Sequence, residues 1–189
     1  MKKETKMFCN AVRSRSKENR TAINHINVGR TTLSPAMSIL RQELDSMVRV
    51  IWLLSLQDTT ERDRLIHATL SGQKWTMKTR NGKERQITDR DMVELAQNLH
   101  GWTQSVYKFG CAFINLSDFH NNDKKDPFKA LPEQERQDIL HHMRYYHGGP
   151  PEDNPDMEVI VRYVPQVFEK IASNLECYLK DLEEGKPME

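Results

Sequence analysis

Residues 34–57 read SPAMSILRQELDSMVRVIWLLSLQ, and this stretch decides the fold. A serine followed by a proline, Ser34-Pro35, is a helix start signal, because proline lacks the backbone N–H that would be left unpaired in the first turn. Apolar residues then recur at steps of three and four, which is the spacing of one helix face. The members of this face are Met37, Leu40, Leu44, Met47, Val48, Ile51 and Leu54. The pattern predicts a helix from Pro35 to Gln57, with its C-terminal half at the centre of the core.

The residues after this helix predict a second, shorter helix and then a hairpin. Asp58 is suited to cap the start of the helix, and Gly72 is suited to end it. Residues 74–87 mix polar residues with β-branched and larger apolar ones on either side of Asn81-Gly82, a dipeptide that favours a tight turn. We expect a small exposed β-hairpin there. Because an isolated hairpin is only marginally stable, it must lean on the helices or on a partner.

The longest helical pattern runs from Asp89 to His120. Thr88, with an aspartate three residues later, resembles a capping box, and the apolar residues that follow keep one face in step up to the histidine. Gly101 and Gly110 weaken this helix by up to about 1 kcal/mol each relative to alanine. A glycine inside a helix indicates a bend or a close neighbour.

The remaining patterns complete a helical bundle. A helix begins near Pro132, residues 147–155 form a loop, and Pro165 kinks or restarts the closing helix. Five or six helices with mostly short connections predict an all-α, antiparallel bundle with the hairpin inserted near 74–87. Residues 1–20 carry seven basic and two acidic side chains and are expected to form a basic N-terminal arm, either touching phosphates or simply solvated. Residues 21–189 then form the single helical-bundle domain.

Composition narrows the class of protein. The 189 residues are one domain's length, and 28 Lys+Arg against 27 Asp+Glu give a net charge of +1. This balance disfavours a strongly basic nucleic-acid binder but allows a local patch. Three widely spaced cysteines without a Cys-x-x-Cys pair indicate neither a disulfide framework nor a zinc finger. The start lacks an apolar signal-peptide stretch, and the longest apolar run, Val50–Leu54, is far shorter than the roughly 20 residues of a membrane span. We expect a cytoplasmic protein that does not engage a membrane.

Histidine close to arginine is the main chemical signal, since the common phosphate-loop, nucleophile-elbow and zinc-protease motifs do not occur. Residues 136–147 read RQDILHHMRYYH. This segment resembles the Arg-x(4–6)-His signature of the HEPN superfamily, small helical bundles often found in toxin, abortive-infection and other defence proteins. Residues 41–54 look like the early arginine-and-acid helix of its abortive-infection members, and residues 116–120 look like the segment that ends their long helix.

The resemblance implies metal-independent RNA cleavage, without a cofactor, by a protein in which two copies meet. The RNA 2′-hydroxyl attacks the adjacent phosphorus, His141 or His142 moves the proton, and Arg136 stabilises the charge on the phosphoryl oxygens. We also expect Arg144 and His147 to contribute to binding. A regular helix separates Arg136 from His141 by about 140° of rotation, so a shared site needs a helix start, a bend or a second subunit.

Two further positions are candidates. His120 ends an apolar stripe and is either a third catalytic residue or a helix C-terminal histidine that bonds the last carbonyls. Arg41 and Asp45 are four residues apart and form either a simple helix ion pair or part of a partly buried binding pocket.

Other function classes stay open beside the ribonuclease hypothesis. We expect the chain to form a homodimer through helix faces. We also expect it to bind RNA or another protein. One alternative is a non-catalytic helical interaction module, in which the arginine and histidine of the signature scatter instead of converging in one cleft. Another is a bundle with a small-molecule pocket lined by Trp52 and Trp102. Asp138, His142 and His147 lack a firm fourth ligand, so no metal is expected.

Overall fold

The computed structural model describes residues 2–79, 81–114 and 126–186. Within these ranges the chain forms eight α-helices and one two-stranded antiparallel hairpin. The elements are α1 (Lys3–His25), α2 (Leu33–Ser55), α3 (Thr59–Leu70), β1 (Thr76–Lys78), β2 (Glu84–Gln86), α4 (Asp89–His100), α5 (Thr103–Ile114), α6 (Glu133–His147), α7 (Met157–Val161) and α8 (Val164–Glu184). The predicted all-α bundle with a small hairpin is confirmed, although the helices outnumber the five or six expected.

Helix α2 is the centre of the bundle. It packs against α8, α5, α4 and α1, so that nearly every side of its second half is covered. The buried apolar residues of that half are Leu44, Met47, Val48, Val50, Ile51, Leu53 and Leu54. Each such side chain contributes about 1.5–3 kcal/mol when it leaves water, which explains why this segment dominates the core. The observed bounds differ by two residues at each end from the predicted 35–57.

The first 20 residues do not form the separate arm that we expected, because α1 packs against α8, α3 and α2. Phe8, Cys9 and Ile23 are buried in this packing. Arg13 donates hydrogen bonds to Glu176 at 2.9 Å and to Glu183 at 2.7 Å, both on α8. Part of the basic charge therefore pairs with the bundle's own carboxylates. The expected boundary at residue 20 falls inside the helix.

The predicted long helix from Asp89 is broken at Gly101. This glycine has a φ of 72°, in the left-handed region, and its N–H caps α4 by donating to the carbonyl of Gln97 at 2.8 Å. The Gln97 side chain also accepts a hydrogen bond from the backbone N–H of Gln104 at 2.8 Å, which ties the start of α5 to the end of α4. Glycine suits this cap because it adopts the left-handed conformation without strain. His120 lies outside the described residues.

Local signals place the shorter elements as expected. The Asp58 side chain accepts from the N–H of Thr60 at 2.8 Å and caps α3. Thr88 and Asp91 form the capping box that opens α4. In the hairpin, Met77 pairs with Arg85, and the flanking residues Trp75 and Ile87 are buried against the helices. The two apolar anchors explain how so short a hairpin is held.

Helices α7 and α8 are separate, since Pro165 lies in the first turn of α8 and restarts the helix. Arg144 on α6 donates hydrogen bonds to the carbonyls of Pro150 at 3.0 Å and Glu152 at 2.8 Å. The connection from α6 to α7 is held against α6 in this way. Among the described helices, none combines the length and apolar character that a membrane crossing requires.

Candidate functional site

The residues of the arginine–histidine signature lie on different sides of α6. Arg136 donates to the carbonyl of Lys129 at 3.2 Å and forms an ion pair with Glu133 one turn before it. His141 is exposed, and its ring stacks at 6.5 Å on the equally exposed Tyr145. His142 instead faces the interior of the bundle. On a single chain, Arg136 does not meet either histidine in one cleft.

His142 and His147 border a cavity beneath α6, which we call the α6 cavity. Its volume is about 80 Å³, and residues of α2, α5, α6, α7 and α8 together form its walls. Its apolar wall residues include Met37, Leu40, Val106, Phe109, Ile139 and Ile160. Trp102, at the corner between α4 and α5, also lines the cavity, whereas the sequence-based expectation of a second tryptophan, Trp52, does not hold.

At the α6 cavity, one buried donor lacks an acceptor and one cation lacks a carboxylate partner among the described residues. Trp102 is only 5% exposed, and its indole Nε1 has no hydrogen-bond acceptor in the described part of the chain. Lys170 lines the cavity from α8, and its ammonium lies 4.0 Å from the centre of the Tyr146 ring. Within the described ranges, no carboxylate pairs with this lysine. A buried donor and a cation without a counter-charge therefore border an otherwise apolar space.

Burial lowers the pKa values of three histidines at or near the cavity. Burial and the neighbouring charge of Lys170 lower the pKa of His147. Burial also lowers the pKa of His142, with a further contribution from His141. His100, whose Nε2 lies 2.8 Å from the hydroxyl of Tyr178, has a pKa lowered in the same way by burial and by Lys170. These shifts favour the neutral imidazoles at the cavity, and Lys170 is the further basic side chain in its wall.

Arg41 and Asp45 form the ion pair that their spacing indicates, and the structure buries it between α2, α4 and α5. Arg41 is 5% exposed; its guanidinium also approaches Asp89 at 3.5 Å and lies 4.1 Å from the centre of the Tyr107 ring. Asp89 in turn accepts from Arg49 at 3.0 Å. Burial raises the pKa of Asp45, and Arg41 opposes that effect.

This charged cluster explains the glycine at position 110. A Cβ added to Gly110 would lie 3.1 Å from Cδ and 3.2 Å from Cβ of Arg41, closer than ordinary van der Waals contact. The glycine therefore lets α5 approach α2 directly over the arginine. Two cations and two carboxylates balance within the cluster, which joins α2, α4 and α5.

Sequence reasoning missed Lys170 because it lies on α8, far along the chain from the other cavity residues. No local motif in the sequence marks it. Trp102 was expected to line a pocket or the core, but its unpaired indole N–H follows from the turn at Gly101 and is not visible in the sequence. No three metal-binding side chains come together in the described ranges.

Comparisons of the chain with models of protein families, with characterised proteins and with solved structures found no match.

Proposed function

We propose that this helical protein binds a small amphiphilic anion, with an apolar chain in the α6 cavity and an anionic head group at Lys170. The observation that carries the proposal is the combination of an apolar cavity, a buried indole N–H without an acceptor and a lysine without a carboxylate partner. A buried polar group without a partner costs about 1–3 kcal/mol, so a ligand recovers that cost if its carboxylate accepts from Trp102 as well as from Lys170.

The size of the cavity limits the ligand. A volume of about 80 Å³ is smaller than the about 150 Å³ of an engineered cavity that holds benzene. Since a water molecule occupies about 30 Å³ of the liquid, the cavity takes roughly three chain atoms, and the remaining carbons of a short chain lie in its open mouth. A short aliphatic carboxylate fits this limit better than an aromatic one, with its head group in the mouth of the cavity beside Lys170.

Ligand-detected NMR titration with hexanoate, with 1-hexanol as the uncharged comparison, tests the proposal. We expect hexanoate to bind to the wild type. Lys170→Met keeps most of the apolar stem of the lysine and should weaken hexanoate binding by about tenfold, equivalent to about 1.4 kcal/mol. Lys180→Met is the matched control, because Lys180 is exposed on the same helix and does not line the cavity. Absence of hexanoate binding to the wild type, or equal weakening by both variants, would contradict the proposal.

Metal-independent RNA cleavage stays a prediction, as do homodimerisation and a cytoplasmic location. Because Arg136 and His142 lie on different sides of α6, cleavage requires a second copy of the chain to bring an arginine of one copy to a histidine of the other. Incubation of labelled single-stranded RNA in EDTA with the wild type and with His141→Ala/His142→Ala tests this. Cleavage by the wild type alone would support it, whereas no cleavage, or equal cleavage by both proteins, would exclude it.

A further inference from the structure

An open cleft lies on the other side of α2, between α1 and the hairpin. Its volume is about 570 Å³, within the range of about 300–1,000 Å³ that is typical of small-molecule sites. Phe8, Trp75 and Ile87, all buried, form its apolar floor. The cleft shares no wall residue with the α6 cavity, so an inference about it is independent of the function proposed above.

Positive charge predominates in this cleft. Arg15 from α1, Arg49 from α2 and Lys74 from the segment before β1 line it, and Asp89 is the one carboxylate among its described wall residues. Arg49 pairs with Asp89 at 3.0 Å and lies 5.3 Å from the centre of the Trp75 ring. Arg15 and Lys74 pair with no carboxylate within the part of the chain that the structure describes. Two cations are thus free to hold an anion.

Neutral polar groups in the walls add specificity. The side chains of Gln73 and Gln86 are exposed and can both donate and accept hydrogen bonds. Asp89 is an acceptor that suits a hydroxyl or an amino group.

An arginine and a lysine suit a phosphate, because phosphate oxygens accept several charge-assisted hydrogen bonds at once. We propose that the cleft binds a mononucleotide, with its phosphate held by Arg15 and Lys74 and its sugar or base donating to Asp89.

The walls favour a small molecule over a nucleic-acid strand. Proteins that bind single strands present exposed aromatic faces on which successive bases stack. Trp75 is only 3% exposed, and its indole N–H donates to Thr69 at 2.8 Å, so it is fixed in the floor of the cleft. A base can rest on the apolar floor, but the described walls of the cleft form no continuous stacking surface.

Isothermal titration calorimetry with AMP, adenosine and inorganic phosphate tests the proposal. We expect AMP to bind more tightly than either fragment, and Arg15→Gln/Lys74→Gln to weaken AMP binding at least tenfold. Lys3→Gln/Lys180→Gln removes the same amount of charge from exposed positions outside the cleft and should leave AMP binding unchanged. Lys170→Met, in the α6 cavity, should also leave it unchanged.

Four results of this titration would overturn the proposal. They are no binding of AMP, equal weakening by the two double variants, equal affinities for adenosine and AMP, and equal affinities for inorganic phosphate and AMP. The last would show that the cleft takes a free phosphate instead of a nucleotide. Tighter binding of a short oligoribonucleotide than of AMP, lost in Arg15→Gln/Lys74→Gln, would identify a nucleic-acid strand as the occupant and would also overturn it. The substituted side chains lie at the surface of the cleft, and thermal unfolding of each variant checks that the fold is kept.

Discussion

Filling the α6 cavity should stabilise the protein and abolish ligand binding. Val106 on α5 lines the cavity, and Val106→Phe would place a ring in the empty space. A cavity costs about 24 cal/mol per Å³, so filling all of the 80 Å³ is worth about 2 kcal/mol at most. Adjustment of the neighbouring side chains offsets part of this gain. We expect the free energy of unfolding to rise by about 1 kcal/mol, with an increase of about 2–4 °C in Tm.

Urea unfolding followed by circular dichroism measures this change, with an unchanged m value showing that the cooperative unit is the same. The matched control is Val93→Phe on α4, since Val93 is 1% exposed and does not line the α6 cavity. The same substitution there overfills a packed core and should cost about 1–3 kcal/mol. If Val106→Phe destabilises the protein as much as Val93→Phe, the space beneath α6 is not free, and the reasoning fails. In the NMR titration with hexanoate, the Val106→Phe variant should show no binding.

Three further perturbations test the forces around the sites. Because the folded-state pKa of His147 lies below the unfolded value of about 6.5, the unfolded state binds more protons, and stability should fall as pH drops below about 6.5. His147→Gln should reduce that loss between pH 7.5 and 5.5 in urea unfolding; an unchanged pH profile would contradict it. Arg41→Met should cost about 3 kcal/mol by leaving a carboxylate without its partner, and Arg41→Met/Asp45→Leu should recover much of this loss. If the double variant is no more stable than Arg41→Met, the unpaired carboxylate of Asp45 is not the cause of the lost stability. Gly101→Ala should cost about 1–2 kcal/mol, because alanine is strained at a φ of 72° although its Cβ would make only an ordinary van der Waals contact, 3.8 Å from Cε1 of His142, and Gly101→Asn should cost less; equal stability of both variants to the wild type would refute a conformational role.

Features that depend on neighbouring residues in the sequence could be predicted. The caps at Asp58 and Thr88 and the turn at Asn81-Gly82 are set within three or four residues, and each is found where expected. The central helix was equally predictable, since its apolar spacing continues over six turns. The break at Gly101 was less predictable, because the apolar stripe of α4 continues in phase into α5. The sequence alone does not decide whether the helix bends or ends at this glycine.

Features that depend on distant parts of the chain could not be predicted. Helix α1 has few apolar residues, and Asn19 on its packed side is polar but bonds Glu43 of α2 at 3.0 Å, so the packing becomes evident only in three dimensions. The α6 cavity needs walls from five helices, and the unpaired state of Lys170 depends on which side chains fail to reach it. His142 was chosen for its spacing from Arg136 in the sequence, whereas the structure places it in the wall of the α6 cavity, beside Gly101.

NMR of the tryptophan indole N–H groups tests the proposed ligand site most directly. The indole of Trp102 lies at the α6 cavity without an acceptor, whereas that of Trp75 is bonded to Thr69 and that of Trp52 lies elsewhere. During a hexanoate titration, the account predicts that the Trp102 indole resonance shifts and saturates while the other two stay in place. A titration in which the Trp102 resonance does not move, or in which all three move together, would contradict it.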